Sequence, residues 1–167
     1  LLILGVVFRR PAVVPGIFIA LLVKYGNGGD LALTNRRVRT LPYLLFVASI
    51  VACAFFLLRM LIPFWLVAIL FGTAAVMLMA MGINFVWKIS AHMIGIGGLL
   101  GGVMGVAQLY ALNPWISFII GFLAAGCLGT SRLILKRHTP AQVYAGFGLG
   151  FIGIYISSLL SYFYFFI

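Results

Sequence analysis

From residue 41 to the C-terminus the sequence is a succession of apolar stretches, each about as long as a bilayer is thick, separated by turns of a few residues. A membrane crossing needs about 20 apolar residues of helix. Within the hydrocarbon every backbone N–H and C=O must be bonded inside the protein, which a helix achieves by itself. Residues 41–60, 63–81, 90–112, 115–135 and 139–167 are read as five crossings. Ahead of them, residues 12–25 are apolar but interrupted by Pro15 and Gly16, and they are read as a short or partly re-entrant span. The expected fold is all-α: an integral membrane bundle of about six transmembrane helices, the first one short, forming a single transmembrane domain over residues 1–167. Residues 1–8 are apolar but too few to cross, and no signal-peptide pattern is evident. Residues 82–88 are read as a connector, with Trp87 as an interfacial anchor. Residues 113–115 are read as a surface turn. The expected location is a bacterial cell membrane, crossed several times.

Charge is scarce and one-sided. Eleven Lys and Arg stand against one acid, Asp30, and there is no Glu. That excludes the paired carboxylates of glycosidases and of aspartyl chemistry, and the oxygen-rich sites that hold Mg²⁺. A zinc site would have to gather His92, His138, Cys53 and Cys127 from four separate places, so no metal and no cofactor is expected. The two cysteines fall within spans and are read as small core residues. In a soluble chain such a basic balance would point to nucleic acid. Here the cations sit beside spans, so membrane lipids and phosphorylated lipids are the expected partners and nucleic acid is not.

The last three spans carry small residues at four-residue spacing: Gly97, Gly101 and Gly105; Gly121, Ala125 and Gly129; Gly146 and Gly150. This spacing lets helix backbones approach closely. A phosphate-cradling loop does not fit Gly95–Gly102, because no Gly-Lys-Ser/Thr follows.

Counting crossings brings three polar clusters to one membrane face: residues 35–42, 88–92 and 131–138. Arg9, Arg10 and Arg59 fall on the other. Residues 131–142, Ser-Arg-Leu-Ile-Leu-Lys-Arg-His-Thr-Pro-Ala-Gln, hold three cations and a histidine between two apolar runs. Thr139-Pro140 with Gln142 has the form of a capping box with Pro at the first helical position. Basic residues at span ends also serve simply as anchors to head groups. Yet both histidines of the chain reach the same face, each beside a Ser and a cation. Two imidazoles with guanidinium support suffice for phosphoryl transfer: one attacks phosphorus and the other protonates the leaving oxygen. Planar, bidentate Arg side chains hold the non-bridging oxygens.

Ser131-Arg132, five residues and His138 resemble the third motif of the type 2 phosphatidic acid phosphatase family, membrane lipid phosphatases related to vanadium haloperoxidases. Ile89-Ser90-Ala91-His92 keeps the Ser and His of the family's Pro-Ser-Gly-His motif. Asn35-Arg36-Arg37-Val38-Arg39-Thr40-Leu41-Pro42 is similar to its first motif, without the Arg-Pro pair. The resemblance covers residues 35–150. It implies His138 as nucleophile and His92 as general acid, with phosphate held by Arg132, Ser90, Ser131 and the Ala91 N–H. Arg39, Arg36 or Arg37 would stand in for the first-motif cations, and Lys88 would add a further charge. It also implies a metal-independent phosphatase acting on a lipid phosphate or pyrophosphate. Gln142 occupies the place of the Asp that orients the nucleophilic histidine in the family. A catalytically impaired lipid-phosphate binder and an anion or lipid transporter are therefore kept as alternatives.

Overall fold

The computed structural model describes residues 40–165. They form five helices: α1 (Thr40–Arg59), α2 (Phe64–Val86), α3 (Ala91–Leu109), α4 (Trp115–Ile134) and α5 (Pro140–Phe165). The described residues contain no strand. Helices α2 to α5 are long and apolar enough to cross a membrane; the apolar stretch Tyr43–Arg59 of α1 is shorter. The protein is thus an all-α, multi-pass membrane protein. The short first span expected over residues 12–25, and the loop carrying Arg36, Arg37 and Arg39, lie outside the described residues.

The surface has the composition of a membrane protein. Ile116 and Ile134 of α4 are 75% and 74% exposed, and Phe85, Leu99 and Leu160 also face outward. The buried set includes Asn84, Ser90, Ser158 and Ser161. Apolar groups face outward without penalty only when the surroundings are lipid.

Proline punctuates the helix starts. Pro63 and Pro114 sit at the N-cap positions of α2 and α4, and Pro140 is the first residue of α5. Asn113 Oδ1 accepts a hydrogen bond from Trp115 N–H at 3.3 Å, closing the expected turn before α4. Three helix ends share one device. Leu61, Ala111 and Lys136 adopt positive φ (53°, 51° and 50°). In each case that residue's N–H and the next one bond back to carbonyls of the last turn, as in Lys136 N–H to Leu133 O at 2.9 Å and Arg137 N–H to Arg132 O at 3.1 Å. This is the Schellman arrangement, usually completed by glycine. Here none of the described glycines has positive φ.

The glycines are spent on helix contacts instead. A Cβ on Gly97 would strike the Phe147 carbonyl, and one on Gly101 the Phe151 carbonyl. One on Gly150 would meet the Ile94 carbonyl, and one on Gly146 would lie 2.8 Å from Ser90 O. The residue numbers rise together on both sides, so α3 and α5 run parallel, backbone against backbone, as the four-residue spacing predicts. Val76 and Ala80 of α2 pack with Ile89, Ile94 and Ile154 into the core beside this pair. A second cluster, Cys53, Ala54, Leu57 and Val67, ties α1 to α2. Helix α4 is peripheral and buries only Gly121, Ala125 and Gly129.

Two expectations are corrected. Helix α2 continues to Val86, so the connector expected over 82–88 shrinks to the four residues after it. Gly82 lies inside this helix, and a Cβ there would meet nothing among the described residues. Cys53 is buried as expected, but Cys127 is exposed on α4, because that helix turns only its small-residue stripe inward.

Candidate active site

The Schellman turn after α4 reverses the chain within the five residues 135–139 and leads into α5. Arg132 is in the last turn of α4, with Lys136 and Arg137 just beyond it, where cations complement the helix dipole. His138 follows, and Thr139 caps α5. The capping box forms in both directions. Gln142 N–H donates to Thr139 Oγ1 at 3.4 Å, and Thr139 N–H donates to Gln142 Oε1 at 3.2 Å. The same Oε1 lies 3.1 Å from His138 Nδ1.

That geometry fixes a tautomer. A backbone N–H can only donate, so the atom of Gln142 facing Thr139 is its oxygen. An amide oxygen can only accept, so His138 Nδ1 carries the proton. In the neutral ring the lone pair is then on Nε2. Gln142 therefore caps the helix and orients the imidazole with one atom.

His138 and Gln142 line a cavity of about 540 Å³ together with Lys88, Lys136, Arg137 and Thr139. Lys88 belongs to the α2–α3 connector and His138 to the α4–α5 turn, so two of the three clusters assigned to one face do meet there. Lys136 and Arg137 were visible in sequence as part of the cation cluster. Their place in the cavity follows from the positive φ at Lys136, which no glycine announces.

The remaining candidates are placed differently. His92, in the first turn of α3, is exposed and lines a separate cavity of about 450 Å³ with Phe46, Thr73, Met77 and Gly95. The two cavities share no lining residue. Ser90 is fully buried at the start of α3, lines neither cavity, and its Oγ has no hydrogen-bond partner among the described residues. Ser131 donates its hydroxyl proton to Leu128 O at 2.7 Å, which leaves it only acceptor capacity. Arg132 is half-buried; its Nε is buried and likewise without a partner among the described residues. The structure therefore brings together His138, Gln142 and Lys88, and does not bring His92, Ser90, Ser131 or Arg132 into that cavity. Arg36, Arg37 and Arg39 lie outside the described residues.

Chemically, the cavity offers an oriented imidazole, two lysines and an arginine. The parallel packing of α3 and α5 sets both helix N-termini, with their positive dipole ends, at this same face. Such a site suits an anion with several oxygens. No known protein family, characterised protein or solved structure matches the chain.

Proposed function

We propose that the protein is a phosphatase of membrane lipid phosphates or pyrophosphates, acting through a phosphohistidine at His138 and requiring no metal. The observation that carries this reading is His138 itself: Nδ1–H held by Gln142, Nε2 left as the nucleophilic nitrogen, three cations lining the same cavity. The lipid phosphate's non-bridging oxygens are held by Lys88, Lys136 and Arg137, with Arg132 behind them. Nε2 attacks phosphorus and the bond from phosphorus to the lipid oxygen breaks. His92, as imidazolium, gives its proton to the departing alkoxide. Water then attacks the phosphohistidine, His92 takes a proton from it, and the P–N bond breaks to release phosphate. In-line displacement puts nucleophile and leaving oxygen on opposite sides of phosphorus. The reading carries with it a bundle of about six helices, with residues 12–25 as the first, in a bacterial cell membrane.

A second reading is favoured by one observation. Gln142 accepts the Nδ1–H but bears no charge, so it does not stabilise an imidazolium as a carboxylate would. On that reading the cavity binds lipid phosphate without turning it over.

The test is phosphate release from a panel of lipid phosphates with EDTA present, comparing the wild-type protein with His138→Ala and His92→Ala. The expected result is release that EDTA leaves intact, abolished in His138→Ala and strongly reduced in His92→Ala. Unchanged release in both variants refutes the catalytic assignment, and release lost to EDTA refutes the metal-free mechanism. No turnover of any substrate, with saturable vanadate binding that His138→Ala weakens, selects the second reading.

A further inference from the structure

The cavity beside His92 has walls unlike those around His138. Phe46 comes from α1, Thr73 and Met77 from α2, Gly95 and Leu99 from α3. Thr73 spends its hydroxyl proton on Ile69 O at 2.8 Å, within its own helix. His92 is thus the principal polar group of the groove, and it stands at the end nearest the cationic face. From His92 to Leu99 the groove descends seven residues of α3, about 10 Å at the helical rise. That is about a third of a ~30 Å hydrocarbon core.

Gly95 supplies a second observation. Glycine within a helix is about 1 kcal/mol less favourable than alanine. Gly97, Gly101 and Gly150 offset that by admitting a backbone from the partner helix, but a Cβ on Gly95 would meet nothing among the described residues. Gly82, Gly126 and Gly148 share this property. Of the four, Gly95 alone lines one of the cavities described here. Its missing side chain makes room in the groove and serves no contact with another described helix.

We propose that this groove admits one hydrocarbon chain of the lipid phosphate from the side, out of the bilayer, and that Gly95 sets its width. The proposal rests on the phosphatase reading for the head group and goes beyond it in naming how the tail is held. The occupant follows from position: membrane-spanning helices bound the groove, and lipid chains are the medium around them. The histidine end lies on the face whose cations suit an anionic head. Lipid tails are as apolar as the walls, so the groove adds little affinity through the hydrophobic effect. It selects by shape and sets the ester oxygen beside His92.

The experiment uses the full chain in nanodiscs of zwitterionic lipid, with a long-chain phosphatidate bearing a diazirine in one acyl chain. Photolabelling is expected at Phe46, Thr73 and Met77, the half-buried groove residues, and to fall at least about tenfold in Gly95→Leu. Gly126→Leu, an outward position on α4, is the control and is expected to match wild type. In turnover, Gly95→Leu is expected to lower kcat/KM for long-chain phosphatidate at least about tenfold relative to a short-chain, water-soluble phosphate ester. Labelling spread evenly over outward residues such as Ile116, or undiminished by Gly95→Leu, overturns the proposal. So does a Gly95→Leu protein that fails to fold where Gly126→Leu folds, since the groove is then packed against the chain's own earlier residues. Groove labelling without turnover leaves the groove standing and removes the phosphatase reading. Turnover without groove labelling does the reverse.

Discussion

Gln142→Glu is the substitution that bears most directly on the site. Gln142 Oε1 accepts from Thr139 N–H at 3.2 Å and from His138 Nδ1–H at 3.1 Å. Glutamate has the same length, so a carboxylate oxygen in that position keeps both contacts, and only the charge changes. On the proposed mechanism the ring becomes cationic when Nε2 attacks phosphorus, and its hydrogen bond then runs to a carboxylate in place of an amide. A neutral hydrogen bond contributes about 1 kcal/mol net and one to a charged group about 1.5–3. The difference, about 0.5–2 kcal/mol, corresponds to about a 2- to 30-fold faster chemical step. The larger Coulomb energies of a dry interior do not apply, because His138 and Gln142 are only half-buried. The cap gains as well: Thr-x-x-Glu completes the box, and an acid in the first turn of α5 adds about 0.3–1 kcal/mol. Rate and thermal midpoint are therefore expected to rise together, measured as phosphate release at saturating lipid phosphate and by a melt in the same detergent. Aspartate is one methylene shorter and cannot hold both partners at these distances, so Gln142→Asp gains less. A higher midpoint with an unchanged rate would mean that Gln142 only caps α5. A higher midpoint with a lower rate would refute the cationic transition state at His138.

Three further outcomes follow from the same geometry. In protein labelled with ¹⁵N-histidine, which carries just two such residues, neutral His138 is expected as the Nδ1–H tautomer; an Nε2–H tautomer removes the argument for its nucleophilic nitrogen. Gly101→Ala drives a methyl into the Phe151 carbonyl and is expected to destabilise by about 1–3 kcal/mol, whereas Gly126→Ala meets nothing and gains up to about 1 kcal/mol; equal melts for the two variants contradict the α3–α5 contact. Lys136→Gly relieves a left-handed residue by about 1 kcal/mol and raises the melting midpoint, yet removes a cavity cation and weakens vanadate binding; a lowered midpoint contradicts the positive φ.

The helices were legible because their signals are repeated many times along the chain. Apolar length marked the crossings, proline marked starts at 63, 114 and 140, and four-residue spacing of glycine marked the α3–α5 contact. The capping box at Thr139 needed only its two residue types. What stayed hidden depends on conformation without a dedicated residue. Lys136, Leu61 and Ala111 take the left-handed position that glycine normally announces, so the tight reversal after α4 left no mark in the sequence. The extension of α2 to Val86 was missed because Gly82 reads as a break, though lipid-facing helices tolerate it. The burial of Ser90 and the outward position of His92 depend on how α3 is rotated against α5. Periodicity in an all-round apolar helix does not define that rotation.

The rotation is set by the glycine contacts, and so the packing and the site are one problem. Gly150 against the Ile94 carbonyl, and Gly97 and Gly101 against carbonyls of α5, set backbone against backbone at these points of the contact. Gly146 completes the register next to Ser90, the N-cap of α3, one turn along α5 from Gln142. Backbone-to-backbone contact is stiffer than contact through long side chains, which have rotamers to spend. The start of α3, with His92, is thereby held at a fixed height and angle relative to the start of α5, with Thr139 and Gln142. On the proposed mechanism, phosphorus attacked at His138 and a leaving oxygen protonated at His92 need those two ends held in a fixed relation. Four glycines in register meet that need where larger residues would force the helix ends apart.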